Sequence, residues 1–144
     1  MRNLDIETLV EDALLRALPL YIEIDATYTR WEDVKNKLLT PTVRVYALEC
    51  EPEDGTLNVY AASNVQVTFG VFTSKKIDET GRIANRIRGQ IRSMLNRGDI
   101  VDIMNNIQGL NVYPHGVIPA GSVNVTDDKI WQKNLTMRIV ATTQ

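Results

Sequence analysis

Two kinds of periodicity divide this chain. Over residues 4–18, LDIETLVEDALLRAL, apolar positions recur at helical spacing, with Ile6, Leu9, Val10, Ala13, Leu14 and Ala17 on one stripe. Asp5 and Glu7 suit the first turn and its dipole, and Pro19 is expected to stop the helix. Residues 42–50, TVRVYALEC, alternate instead. Val43, Val45 and Ala47 take one face, Arg44, Tyr46 and Leu48 the other, as in a half-buried strand. The acidic run EPEDG at 51–55 predicts a turn, and a strand around 57–61 would complete a β-hairpin.

The clearest pattern lies at 63–97, SNVQVTFGVFTSKKIDETGRIANRIRGQIRSMLNR. Val65, Val67, Phe69 and Val71 share one strand face; Asn64, Gln66 and Thr68 share the other, which is expected to be wet or to meet something outside the core. Gly70 predicts a bulge. The spacing then changes to helical over 78–96, with Ile83, Ala84, Ile87, Ile91 and Met94 or Leu95 as the buried stripe. Asp78 is placed to cap this helix and Gly98 to follow it. Arg82, Arg86, Arg88 and Arg92 fall off the stripe.

The rest of the chain reads as shorter pieces. Residues 20–40 begin with strand-like alternation in YIEIDATYT and become ambiguous in WEDVKNKLL. After residue 98 the pattern predicts a short helix or turn and a strand near 110–113. A proline–glycine loop at 114–122 and a strand opening at Val123 and Val125 follow. Asp127 and Asp128 mark a turn before a final strand at about 130–141, with Trp131, Leu135, Met137, Ile139 and Ala141 inward. Together these elements predict an α+β fold: a mostly antiparallel sheet with a β-hairpin, covered by two helices, in one domain over 1–144.

Composition sharpens this only slightly. At 44% hydrophobic and 24% charged the chain belongs with water-soluble globular proteins, and no apolar run approaches the roughly 18 residues of a membrane span. A single cysteine, Cys50, excludes an intrachain disulfide. Charge is segregated: residues 1–55 hold 12 acids against 6 bases, whereas 56–100 hold 7 bases against 3 acids. In a monomer such asymmetry is neutral decoration; in a ring or stack, opposite charge on two faces orients neighbours.

Reaction chemistry is poorly represented. His115 stands alone in a Tyr-Pro-His-Gly turn with no ligand partner at metal-site spacing. Cys50 lies between Glu49 and Glu51, which disfavour its thiolate. The adjacent acid pairs Asp78-Glu79 and Asp127-Asp128 read as a helix cap and a turn, and no phosphate loop or nucleophile elbow occurs. No catalytic, cofactor or metal site is expected. The helix arginines have three open readings: contact with DNA phosphates, contact with the acidic hairpin of a neighbouring subunit, or an ordinary solvated face.

In its order of elements the chain resembles the tail terminator and tail completion proteins of long-tailed bacteriophages. The likeness runs through LDIETLVEDALLRALP, TPTVRVYALEC, the strand VQVTFGVFTSKK entering the helix ETGRIANRIRGQIRSMLN, the loop YPHGVIPAG and the closing KNLTMRIVATTQ. The resemblance implies a non-enzymatic virion protein, assembled in the host cytoplasm, that closes into a ring, commonly a hexamer. Such a ring caps the tail tube, ends its polymerisation and meets the head–tail connector, while DNA passes unread through the lumen. Its partners would be copies of itself, the tail tube protein and the connector, with no membrane and no cofactor. A neck or head-completion adaptor is the alternative within the same setting, and a small hydrolase using an acid pair the alternative outside it. Candidate subunit contacts are Arg82, Arg86, Arg88 and Arg92 on one side and Glu51, Glu53 and Asp54 on the other.

Overall fold

A computed structural model describes residues 5–31, 40–50, 63–97, 99–107, 109–126 and 128–143. The elements in chain order are α1 (Ile6–Tyr21), β1 (Thr27–Arg30), β2 (Thr42–Cys50), β3 (Ser63–Ser74), α2 (Arg82–Leu95), α3 (Asp99–Asn105), β4 (Leu110–Thr126) and β5 (Ile130–Thr143). The strands form one sheet in the order β1-β2-β3-β5-β4. Every pairing is antiparallel except β1 with β2. The fold is therefore α+β, as the periodicities predict, with short α3 as a third helix.

The alternating strands build one buried sheet face. Val43, Val45 and Ala47 of β2, Val65, Val67, Phe69 and Val71 of β3, and Leu135, Met137, Ile139 and Ala141 of β5 are all buried in a single core cluster. Ile6, Leu9, Val10, Ala13 and Leu14 from α1, Ile87, Ile91 and Met94 from α2, and Ile100 and Met104 from α3 complete it. At about 25 cal/mol per Å² of apolar surface, burying these side chains is the main source of stability. Helix α1 packs mainly over β2 and β1, touching β4 and α2 as well, whereas α2 packs over β5, β3 and β4. The two charged helices thus lie toward opposite edges of the same sheet face.

Several local expectations are corrected. Pro19 does not stop α1, which continues to Tyr21; the Ile22 N–H still donates to the Leu18 carbonyl at 3.1 Å. Pro19 has no N–H for the carbonyl four residues back and its ring crowds that carbonyl, but only two helical residues follow it, so little of the helix lies beyond the break. Asp5 is the N-cap, accepting from the Thr8 N–H at 2.7 Å. Gly70 makes no bulge: β3 pairs without a break on both sides of it. It clears space instead, because a Cβ at Gly70 would stand 2.5 Å from Trp31 Cζ3 and 2.7 Å from Phe72 Cε1.

The proline–glycine segment is also not a separate loop. Residues 110–126 form one strand along β5, with register shifts between Val112 and Val117 and between Pro119 and Gly121. Bulges absorb the extra residues without ending the strand. His115 accordingly belongs to a strand and not to a turn. Trp131 is only half-buried, beside buried Lys133. The expected turn at 51–55, the strand at 57–61, residues 32–39 and Gly98 lie outside the described residues; β2 pairs with β3, Cys50 opposite Asn64.

Candidate functional site

Helix α2 is built from a buried stripe and a basic face. Its start is fixed from outside the helix by Asp78, a buried carboxylate accepting from the Ile83 N–H at 3.2 Å, the Ala84 N–H at 3.1 Å and Thr73 Oγ1 at 3.0 Å. Trp131 Nε1 donates to the Asp78 carbonyl at 2.8 Å, and its ring lies over Gly81, whose φ of 75° places it in the left-handed region. Asp78 is thereby committed to structure, but it is not the N-cap residue that the sequence suggests: the helix begins at Arg82 and not at 78, Gly81 is its N-cap, and the Asp78 carboxylate serves the first turn from upstream. Glu79 and Asp128 are exposed, and Asp127 lies outside the described residues.

The helix itself, RIANRIRGQIRSML, carries four arginines and no acid. Arg82, Arg86 and Arg92 are exposed. None of the three forms an ion pair with a described carboxylate. Arg88 differs: it is half-buried and its Nη1 donates to Asn124 Oδ1 of β4 at 2.7 Å. Burial, and then the charge of Arg92, press its pKa below the usual arginine value, although a guanidinium keeps its charge in a protein. The structure therefore brings Arg88 to the β4 edge of the sheet, with Arg92 one helical turn beyond it. Glu51, Glu53 and Asp54 lie outside the described residues.

The acidic half of the chain has a role that its sequence does not announce. Strand β1 pairs with Thr42–Val45, and among the described residues no strand flanks the later part of β2 on that side. There the Ala47 N–H donates to Glu11 Oε2 at 2.9 Å and the Glu49 N–H to Glu7 Oε2 at 2.7 Å. Two carboxylates one helical turn apart on α1 thus stand in for a strand, and they close an edge that would otherwise invite another chain. Glu11 also accepts from Arg30 Nε at 3.1 Å, and Asp12 pairs with the same guanidinium. Glu23 and Asp25, exposed between α1 and β1, add negative charge at this edge.

On the sheet face away from the helices, Arg44 is buried despite its charge. Its guanidinium carbon lies 4.4 Å from the Phe72 ring centroid, and Phe72 meets Trp31 edge-on at 5.6 Å. Farther along, Tyr46 and Leu48 are exposed, as are Val123 and Val125 of β4. The wet face expected around Gln66 and Thr68 is present there, but it gives way to an aromatic cover around Gly70.

Among the described residues no three His, Cys, Asp or Glu side chains group as a metal site, and no helix is long and apolar enough to cross a membrane. No protein-family model matches the chain, and no curated protein matches it.

Proposed function

We propose that this chain is a ring-forming tail terminator of a long-tailed bacteriophage, a structural protein that caps the tail tube and joins it to the head connector. The observation that carries this reading is the β3–α2 unit. It is the part on which the family resemblance rests most, and it ends in a helix whose exposed Arg82, Arg86 and Arg92 have no described carboxylate partner. A basic helix toward one sheet edge and an acidic helix toward the other favour head-to-tail contact between copies. A head-to-tail contact uses two different patches, and it closes into a ring when the rotation allows.

The test is direct. Purified protein near virion concentration is examined by native mass spectrometry and negative-stain imaging, then mixed with tail-tube ends. A closed ring with a central hole, binding tube ends, is the expected result. Reversing Arg82 and Arg86 to Glu is expected to weaken assembly. A monomer at every concentration that ignores tube ends overturns the proposal, and a ring binding only head-side proteins moves it to the neck-adaptor role.

A further inference from the structure

Two edges bound the sheet, β1 and β4, and neither has a described strand beyond it. The chain guards part of its exposed backbone with side chains. The far half of β2 is closed by Glu7 and Glu11. The middle of β4 is interrupted by two register shifts and contains Pro114 and Pro119, which have no N–H to offer. Among the described residues one stretch has no such guard. Gly121–Thr126 pairs residue for residue with β5 from Thr136 to Trp131 and contains no proline. Val123 there is 63% exposed on the face away from the helices.

We propose that neighbouring copies join edge to edge, Gly121–Thr126 of β4 in one copy pairing antiparallel with β1 of the next. This rests on the ring reading and names its joint.

Three observations favour β1 as the occupant. First, backbone geometry fits. The N–H groups of Thr27 and Trp31 donate to the Pro41 and Val45 carbonyls, so by alternation those of Tyr28 and Arg30 point away from β2, where no described strand lies. Second, direction fits. Since β1 runs with β2, and β2, β3, β5 and β4 alternate, β4 runs opposite to β1. A copy that extends the sheet therefore meets it antiparallel. Third, charge fits. Arg88 stands beside β4, with Arg92 one helical turn on, whereas Glu23 and Asp25 lie exposed just before β1. Joining β4 to a second β4 by a two-fold axis would instead bring the arginines of two copies together.

Thr29 and Val123 mark the two ends of one cross-strand row, Thr29–Arg44–Gly70–Asn134–Val123, and share the outward face. The test uses two separately purified variants, Thr29→Cys and Val123→Cys, each carrying Cys50→Ser and each checked for native circular dichroism. They are mixed and treated with a short bis-maleimide. A cross-link that requires both variants is the expected result. Adding Arg88→Glu and Arg92→Glu to the Val123→Cys copy is expected to lower its yield roughly tenfold at limiting protein. Cross-linking of Val123→Cys to itself overturns the proposal in favour of a two-fold joint. No cross-link, with light scattering still reporting the ring, overturns the edge pairing and leaves the terminator reading standing. Monomers throughout overturn both.

Discussion

Replacing Gly70 with alanine isolates one steric constraint. Gly70 lies in the middle of β3, with neighbours on both sides, and its φ is outside the left-handed region. Alanine therefore brings no backbone strain, and by β-propensity alone it would be neutral or helpful by up to about 1 kcal/mol. The added Cβ, however, meets Trp31 Cζ3 at 2.5 Å, Trp31 Cη2 at 2.7 Å and Phe72 Cε1 at 2.7 Å, closer than carbon atoms tolerate. Trp31 and Phe72 form an edge-on pair at 5.6 Å, and Phe72 also lies under Arg44, so neither ring moves without loss. Overpacking of this kind costs about 1–3 kcal/mol, which outweighs the propensity gain. Urea unfolding followed by circular dichroism measures the loss. Trp31→Ala removes the closest obstacle, so in that background Gly70→Ala is expected to cost at least about 1 kcal/mol less. Equal costs in the two backgrounds would refute the steric account, and so would an unchanged midpoint for Gly70→Ala alone.

Two further predictions concern the acidic helix. Glu11→Ala removes the acceptor of the Ala47 N–H and is expected to cost about 1–3 kcal/mol; Glu11→Gln keeps an acceptor oxygen and should cost clearly less, so equal urea midpoints for the two variants would refute the edge-cap role. Asp5 has its pKa lowered, chiefly by the Thr8 N–H bond, so its contribution is present above the usual aspartate pKa and lost as pH falls through the lowered folded value. The stability gap between the wild type and Asp5→Ala, about 1 kcal/mol near neutral pH, should therefore close in strong acid, and a gap that stays constant or widens on acidification would contradict this.

What could be read from the sequence follows from what a local pattern encodes. Val43, Val45 and Ala47, and Val65 to Val71, alternate because one sheet face is buried against helices, and alternation alone reports that burial. The stripe Ile87, Ile91, Met94 is legible for the corresponding helical reason. Position along a sheet is not a local property. Nothing near Thr27 says that β1 runs parallel to β2, or that it ends four residues on and leaves Ala47 and Glu49 to helix carboxylates. Pro119 and Gly121 read as loop residues because local punctuation is the same for a loop and for a bulged edge strand. Arg44 alternates outward as a solvated residue would, yet Phe72 and Trp31 enclose that position from segments distant in sequence. Of the proposed contacts, the basic face of α2 was visible as four arginines off an apolar stripe. The attachment of Arg88 to Asn124, thirty-six residues away, was not.

The strand order has a consequence for how the chain comes to be folded. β5 lies between β3 and β4, opposite Ser63–Ser74 on one side and Leu110–Thr126 on the other. The strand that completes the centre of the sheet is the last of the five to leave the ribosome. Until it arrives, the long, apolar β3 has one flank bare, and its partner must be brought across the 55 residues that separate Ser74 from Ile130. Closing so wide a loop slows folding, and an unsatisfied central strand is a template for misassociation. Nascent chains arrested before residue 130 are thus expected to need chaperone protection.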